Sequence, residues 1–419
     1  MAAKPEIVVT GLGVVSPIGI GRQSFWRALQ GRISGVRPLV GFDASQMPVR
    51  FGGQLVDFDA KTYVKPRKAL KVMCRELQTA VAAAALAVED AGLAATDLNP
   101  DRIGTLYGSE MLYGEPDEFT DLYRACQVDG RFDASIYGDK FVGRMYPLWM
   151  LKNLPNMAAC HVAIMIDARG PNNTIVSGEA SSLLALLEAV RVMERGHADV
   201  MSVGGTGSRV GLTGWLYRGC NELSHRNDNP AAASRPFDEQ RDGLVNGEGA
   251  ATIVLETREH ATARGATILA QVSGIGTGMA TQRDEAGFAR AISQSLRQCL
   301  THADMSPNEI GHVNAHAMSS IEMDRAEAKA IAAVLDQTPV TALKSYFGNL
   351  GTGSSLVELI GSILALEYHE VPATLNYETP DPRCPVNVIR DNGLTNAKPS
   401  AVKIAYSGMG QTAAVLLKK

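Results

Sequence analysis

Short β-branched runs alternate along the chain with alanine- and leucine-rich stretches. Ile7 to Thr10 before Gly11, Thr105 to Tyr107 before Gly108, and Val200 to Val203 before Gly204 read as strands that end in tight glycine turns. Between them, Ala80 to Leu93 and Ser181 to Gly196 carry helical patterning, and Gly196 supplies a C-cap signal. Strands alternating with helices predict an α/β fold.

A faint internal repeat predicts two similar halves. The segment DLNPDRIGTLYGS around Pro100 to Gly104 returns as DMSPNEIGHVNAH around Pro307 to Gly311, an offset of about half the chain. Each copy follows a helical segment and runs into a strand. Apolar periodicity lapses over Thr257 to Ala266, so the expected halves are 1–257 and 258–419.

Composition narrows the partners. With 419 residues and 45% hydrophobic content the chain can bury a sizeable core. Forty Lys and Arg against 44 Asp and Glu leave a formal charge of −4, which builds in no attraction to nucleic acid or an anionic membrane. No run of 18 apolar residues occurs, and the start lacks a basic region followed by an apolar core and cleavage site. The expected location is cytoplasmic. Six cysteines (Cys74, Cys126, Cys160, Cys220, Cys299 and Cys384) lie scattered without a CxxC pair, so they read as reduced thiols, any of which is a candidate nucleophile.

Two motifs carry less than they offer. The glycines of GlyLeuGly at 11 to 13 follow a strand, but Ser16 stands where a dinucleotide fingerprint needs its third glycine, and no acidic residue follows about 20 positions on. Gly274, Gly276 and Gly278 occupy the equivalent place in the second half, which predicts a recurring turn rather than a phosphate cradle. His312 and His316 fall on a buried strand running into a loop, a geometry that separates them too far for one metal ion. Neither a cofactor nor a metal is expected.

The most informative stretch is Gly170 to Val190. After Ser177 a helix begins that is apolar almost all round, and such a helix belongs inside the protein. Glu179 therefore sits at the N-terminus of a buried helix, where free N–H groups and the macrodipole favour negative charge. Position alone leaves two readings open: a first-turn residue complementing the dipole, or a functional anion.

The segment GPNNTIVSGEASS resembles the active-site segment of β-ketoacyl-ACP synthases, whose nucleophilic cysteine lies in a pattern like GPN-x-T-x-S-TACASS. The resemblance extends through VVTGLGVVSPIG, SRPFDEQRDGLVNGEGAATIVLE, VNAHAMSSIEMDRAEAKAI, LKSYFGNLGTGSS and PATLNYETPDPRCP, nearly the whole chain. It implies a thiolase-like fold, two duplicated halves in a five-layered α-β-α-β-α arrangement, and a dimer. In that family a cysteine takes an acyl group from acyl carrier protein, and two histidines stabilise the oxyanion formed as malonyl-ACP loses carbon dioxide.

Carried over residue by residue, the resemblance places His316 at the first histidine, Lys344 at the family's lysine, and Asp324 and Glu327 at its acidic positions. Glu179 stands at the nucleophile position and Asn349 at the second histidine. The loop that gates the acyl pocket reads Tyr406, Ser407, Gly408, Met409 and Gly410, and so counts as the substrate-binding segment.

These departures set the functional expectation. A carboxylate is a poor nucleophile, and an acyl-glutamate would be a mixed anhydride open to water, so ordinary condensation is not expected. Asn349 can donate an N–H but cannot become cationic. Lys344 is expected to neutralise Glu179. The chain then resembles the chain-length factors of type II polyketide synthases, which usually carry glutamine at this position and pair with an active ketosynthase in fatty-acid or polyketide biosynthesis. The alternative is an enzyme of altered chemistry, a malonyl-ACP decarboxylase or other acyl-thioester catalyst using Glu179 and His316. Implied partners are acyl carrier protein and a homodimer or heterodimer mate, and all six cysteines become structural.

Overall fold

A computed structural model describes residues 4–93, 98–391, 393–395 and 397–419. The first half contains β1 (Ile7–Ser16), α1 (Arg75–Asp90), β2 (Ile103–Gly108), α2 (Met157–Ile166), β3 (Asn172–Ile175), α3 (Ser181–Glu194), β4 (Val200–Ser208), α4 (Leu212–Arg218) and β5 (Glu248–Thr257). The second contains β6 (Ala270–Met279), α5 (Glu285–Ala303), β7 (His312–Asn314), α6 (Ile321–Leu335), β8 (Pro339–Thr341), α7 (Ser354–Tyr368), β9 (Asn387–Val388), β10 (Ser400–Tyr406) and β11 (Gln411–Lys418).

With the short strand Gly19–Ile20, the strands form a 12-stranded sheet in the order β9-β8-β7-β10-β11-β6-β1-β5-β4-β2-β3. The order is symmetric about its middle. In the first half β2 runs parallel to β3 and β4, while β5 and β1 pair antiparallel. In the second, β7 runs parallel to β8 and β10, while β11 and β6 pair antiparallel. The two halves of the sheet, hereafter the first and second sheets, meet where Ile7–Val9 pairs with Ala270–Val272. The repeated segments occupy matching places, each a one-turn helix (Pro100–Arg102, Pro307–Glu309) leading into β2 or towards β7.

Helices complete five layers. α1 packs on β1, β5 and β4 outside the first sheet, and α5 packs on β6 and β11 outside the second, with α6 beside it. Between the sheets lie α3 and α7, which touch strands of both. Every residue of α7 from Ser354 to Leu366 is buried, as expected for a helix with apolar neighbours on all sides. This is the thiolase-like arrangement.

The glycines correct the sequence reading. Gly11 and Gly204 lie inside β1 and β4 rather than in turns. A Cβ at Gly13 would lie 1.9 Å from the Ala83 carbonyl oxygen, and one at Gly276 would lie 2.0 Å from that of Ser295. These glycines let α1 and α5 press on their strands at backbone distance, so the recurring motif is a packing device in both halves. Among the described residues no helix is long and apolar enough to cross a membrane.

Candidate active site

The starts of α3 and α7 face each other in the middle layer. Gly178 has φ +58°, a left-handed turn that glycine adopts without strain, and Ser181 Oγ accepts from the Ser177 N–H and donates to the Gly178 carbonyl. Ser355 Oγ, from the first turn of α7, donates to the Glu179 carbonyl at 3.0 Å. The two halves are thereby tied together at Glu179.

The Glu179 side chain does not meet Lys344. Its Oε1 lies 2.7 Å from Arg209 Nη1, just beyond β4. Arg209 turns its other face to Glu110, with Nη2 to Oε2 at 2.9 Å and Nε to Oε1 at 3.3 Å. Glu110 also accepts from Arg218 of α4 and from the Thr352 N–H at 3.2 Å. Side-chain exposure is 8% for Arg209 and 14% for Glu179, so the pair is nearly dry. Burial pushes the Glu179 carboxyl up, but the Arg209 guanidinium, the residue's own N–H and Arg218 together outweigh it and hold the group below the ordinary carboxylate range.

Lys344 is occupied elsewhere, which overturns the expected Glu179–Lys344 pair. Its ammonium sits 2.5 Å from Glu358 Oε1 and donates to the His316 carbonyl at 2.6 Å. Lys403 of β10 approaches the other oxygen, Glu358 Oε2, at 2.5 Å. All three side chains are essentially unexposed. The sequence does not point to this pairing because Glu358 lies inside the apolar run of α7 and carries no signal of its own.

His316 lies in the loop after β7. Its Nδ1 stands 3.1 Å from Lys344 Nζ and so accepts, which puts the ring proton on Nε2. Nε2 is buried with no hydrogen-bond partner, and the ring packs edge-on against Tyr406 at 4.4 Å. Burial, reinforced by Lys344, Lys403 and Arg209, depresses its pKa well below that of free histidine. Glu327 accepts from the His316 and Ala317 N–H groups at 2.6 and 2.7 Å, and Asp324 accepts from Met318, Ser320 and Phe237. Both acids therefore hold the backbone of the histidine loop.

Asn349 Oδ1 accepts from the Gly351 N–H at 3.1 Å and from Ser354 Oγ at 3.3 Å, shaping the turn that opens α7. Its amide nitrogen rests 3.8 Å from the Met318 sulfur. The 406–410 segment closes against Gly178: a Cβ there would lie 3.0 Å from Ser407 Cβ and 3.7 Å from Met409 Cε. Ser407 Oγ donates to Gln411 Oε1, the Gly410 N–H donates to the Ser407 carbonyl, and Gly408 and Met409 face solvent.

Glu327, Lys344 and Tyr406 thus gather around His316, Asn349 rests against Met318 two residues further on, and the 406–410 turn abuts Gly178 beside Glu179. Arg209 and Glu110 were not found from sequence. Their only signal is a charge directly after an apolar strand (TyrGlySerGlu, GlyThrGlySerArg), which does not reveal that the two face each other. The six cysteines are free, and none lies at the start of α3; Cys160 is within α2. Among the described residues no cluster of metal-ligating side chains occurs.

The beta-ketoacyl synthase N-terminal domain matches residues 4–261 and the C-terminal domain residues 267–378, and the chain belongs to this family. It is 34% identical to 3-oxoacyl-[acyl-carrier-protein] synthase 2 of Synechocystis sp., over 99% of this chain and 98% of that one. Among solved structures it is similar to the ishigamide ketosynthase/chain length factor, with TM-score 0.87, 26% identity and full coverage of both chains. It is also similar to the AntDE:AntF assembly, a type II polyketide synthase acyl-carrier protein in complex with its ketosynthase, with TM-score 0.79, 27% identity and 99% coverage of each chain.

Proposed function

We propose that this chain is a partner subunit, akin to a chain-length factor, that joins a cysteine-bearing ketosynthase in cytoplasmic fatty-acid or polyketide biosynthesis. The observation that carries this reading is the Glu179–Arg209 pair at the head of α3. A carboxylate already neutralised by a buried guanidinium has little nucleophilicity left to offer an acyl thioester. The surface supports the reading. The first-half sheet ends in the unpaired edge of β3, and Ile164 on α2 and Val176 after β3 stand exposed beside it. Met111, Leu216 and Tyr217 are also exposed, and Tyr217 stacks on Tyr113 at 4.3 Å. An open edge and apolar side chains of this kind call for a mate. A basic stretch offers a surface for a carrier protein: Lys61, Lys65, Arg67, Lys68 and Lys71 are all exposed within one stretch that holds no acidic residue.

His316 favours a second reading. Its Nε2–H is buried and unpartnered beside Lys344, an arrangement that would stabilise an oxyanion without any nucleophile. On that reading the chain removes carbon dioxide from malonyl-ACP.

One experiment separates the two. The purified chain, alone and co-expressed with a cysteine-bearing ketosynthase, is given malonyl-ACP while carbon dioxide and oligomeric state are followed. The partner reading expects a stable heterodimer and no release by the lone chain. Release by the lone chain that disappears in His316→Ala, with no heterodimer, would overturn it.

A further inference from the structure

Replacing one cysteine is a local change, yet the structure surrounds Glu179 with a larger one. Arg209 fills the space between Glu179 and Glu110, and Glu110 fills the space against two glycines. A Cβ at Gly351 would lie 1.7 Å from Glu110 Oε1 and 3.0 Å from Arg209 Nε, while one at Gly207 would lie 2.9 Å from Glu110 Oε1. No room for an extra methyl group remains on that side.

Beyond Glu110 lies a cavity of about 190 Å³, lined by Glu76, Glu110, Tyr113, Glu115, Lys152 and Arg218 among others. Neither Glu179 nor Arg209 reaches its wall. The Glu110–Arg209 pair therefore stands as a partition between this cavity and the head of α3. The partition is charge-balanced, since Arg209 and Arg218 face Glu110 and Glu179. It is also anchored in four places: after β2, after β4, on α4, and through the Thr352 N–H before α7.

We propose that Glu110 and Arg209, together with Glu179, form an ionic plug that bars acyl chains from the head of α3, so that loss of acyl loading is built into three side chains rather than one. An acyl chain entering here would have to displace a guanidinium with two carboxylate partners, leaving Glu179 buried without its ion pair and Glu110 with Arg218 alone as counter-ion, which is costly. The Glu179 side chain keeps 14% of its surface exposed, so a small polar reagent can reach this position. This inference does not rest on the partner-subunit reading, because it concerns what the lone chain admits.

The test compares a small and a long electrophile. Glu179→Cys would put a thiol beside Arg209 and the start of α3, both of which favour the thiolate. Iodoacetamide and lauroyl-ACP are each offered, and adducts are read by intact-protein mass spectrometry. In the acyl transfer the thiolate forms a C–S bond to the lauroyl carbonyl, the carrier's thioester C–S bond breaks, and the carrier thiolate leaves and takes up the proton.

The expected result is that Glu179→Cys labels with iodoacetamide but gains no lauroyl group, whereas Glu179→Cys/Arg209→Ser/Glu110→Gly gains both. Acylation of the single variant as fast as the triple would overturn the proposal. So would a folded triple variant that labels with iodoacetamide yet stays unacylated. If circular dichroism shows the triple variant unfolded, Glu179→Cys/Arg209→Ser takes its place, since Glu110 there keeps Arg218 and the Thr352 N–H. The single variant is decisive by itself, because Arg209 stays paired with Glu110 in it.

Discussion

Arg209 Nη1 lies 2.7 Å from Glu179 Oε1. The same guanidinium binds Glu110 on its opposite edge, so one cation holds two carboxylates that water barely reaches. Removing the cation leaves two buried charges with reduced compensation. Arg209→Met is expected to lower unfolding stability by about 3–5 kcal/mol, the scale for breaking a buried pair from one side. Urea denaturation measures it, and Arg209→Met/Glu179→Gln should recover part of the loss. A single variant as stable as the natural chain would mean that the pair does not form.

Glu358 between Lys344 and Lys403 gives an asymmetric prediction. Glu358→Gln strands two buried ammonium groups and should cost about 3–5 kcal/mol, whereas Lys403→Met leaves Glu358 paired with Lys344 and should cost clearly less. Guanidinium chloride midpoints rank the two. Equal losses would argue against a shared carboxylate.

Between pH 7 and 4 the buried histidines should withdraw stability, against the buried acids Glu76, Glu327 and Asp324, whose raised values of about 7, 7 and 6 lend it over the same range. Burial holds His312 at about 4 against an ordinary 6.5, and His316 lies well below 6.5. Groups whose folded pKa is depressed lend stability that is complete above the unfolded value and is lost as pH falls towards the folded one. The loss therefore begins near pH 6.5, and the His312 share amounts to about 3 kcal/mol by pH 4. Glu179, held below 4.5, adds its share only beneath that value. Relative to the natural chain, His312→Gln should lose about 3 kcal/mol less stability between pH 7 and 4 in urea denaturation, and a constant difference across that range would contradict the assignment.

Gly351→Ala addresses the plug through its packing. The position has φ +60°, and the new methyl would lie 1.7 Å from Glu110 Oε1. Strain and overpacking together predict a loss of about 2–4 kcal/mol. Thermal unfolding should show a lower midpoint, and a midpoint equal to that of the natural chain would mean that Glu110 does not fill the space beside Gly351.

The alternation of strands and helices, the repeat and the buried α3 were legible because each is written in local periodicity. Glycines misled where periodicity is silent: Gly11 and Gly13 follow a β-branched run, and only the position of α1 over β1 shows that they serve packing rather than a turn. Glu179 was singled out by the apolar run after it. Its partner was not, because Lys344 and Arg209 are both basic residues near Gly-rich turns, and choosing between them needs the location of Glu358, a long-range fact. Glu110 and Lys403 were invisible for the same reason, each a charge at the end of or within an apolar strand whose counter-ion comes from another element.

The bond from Ser355 to Glu179 has one more consequence. Since α3 and α7 each fill the space between both sheets, neither half of the chain can finish its interior alone. Two fragments cut between β5 and β6 would each expose a whole sheet face and half of the central site. They should recover a native interior only when mixed, so assembly of the duplicated halves is itself the step that creates the site.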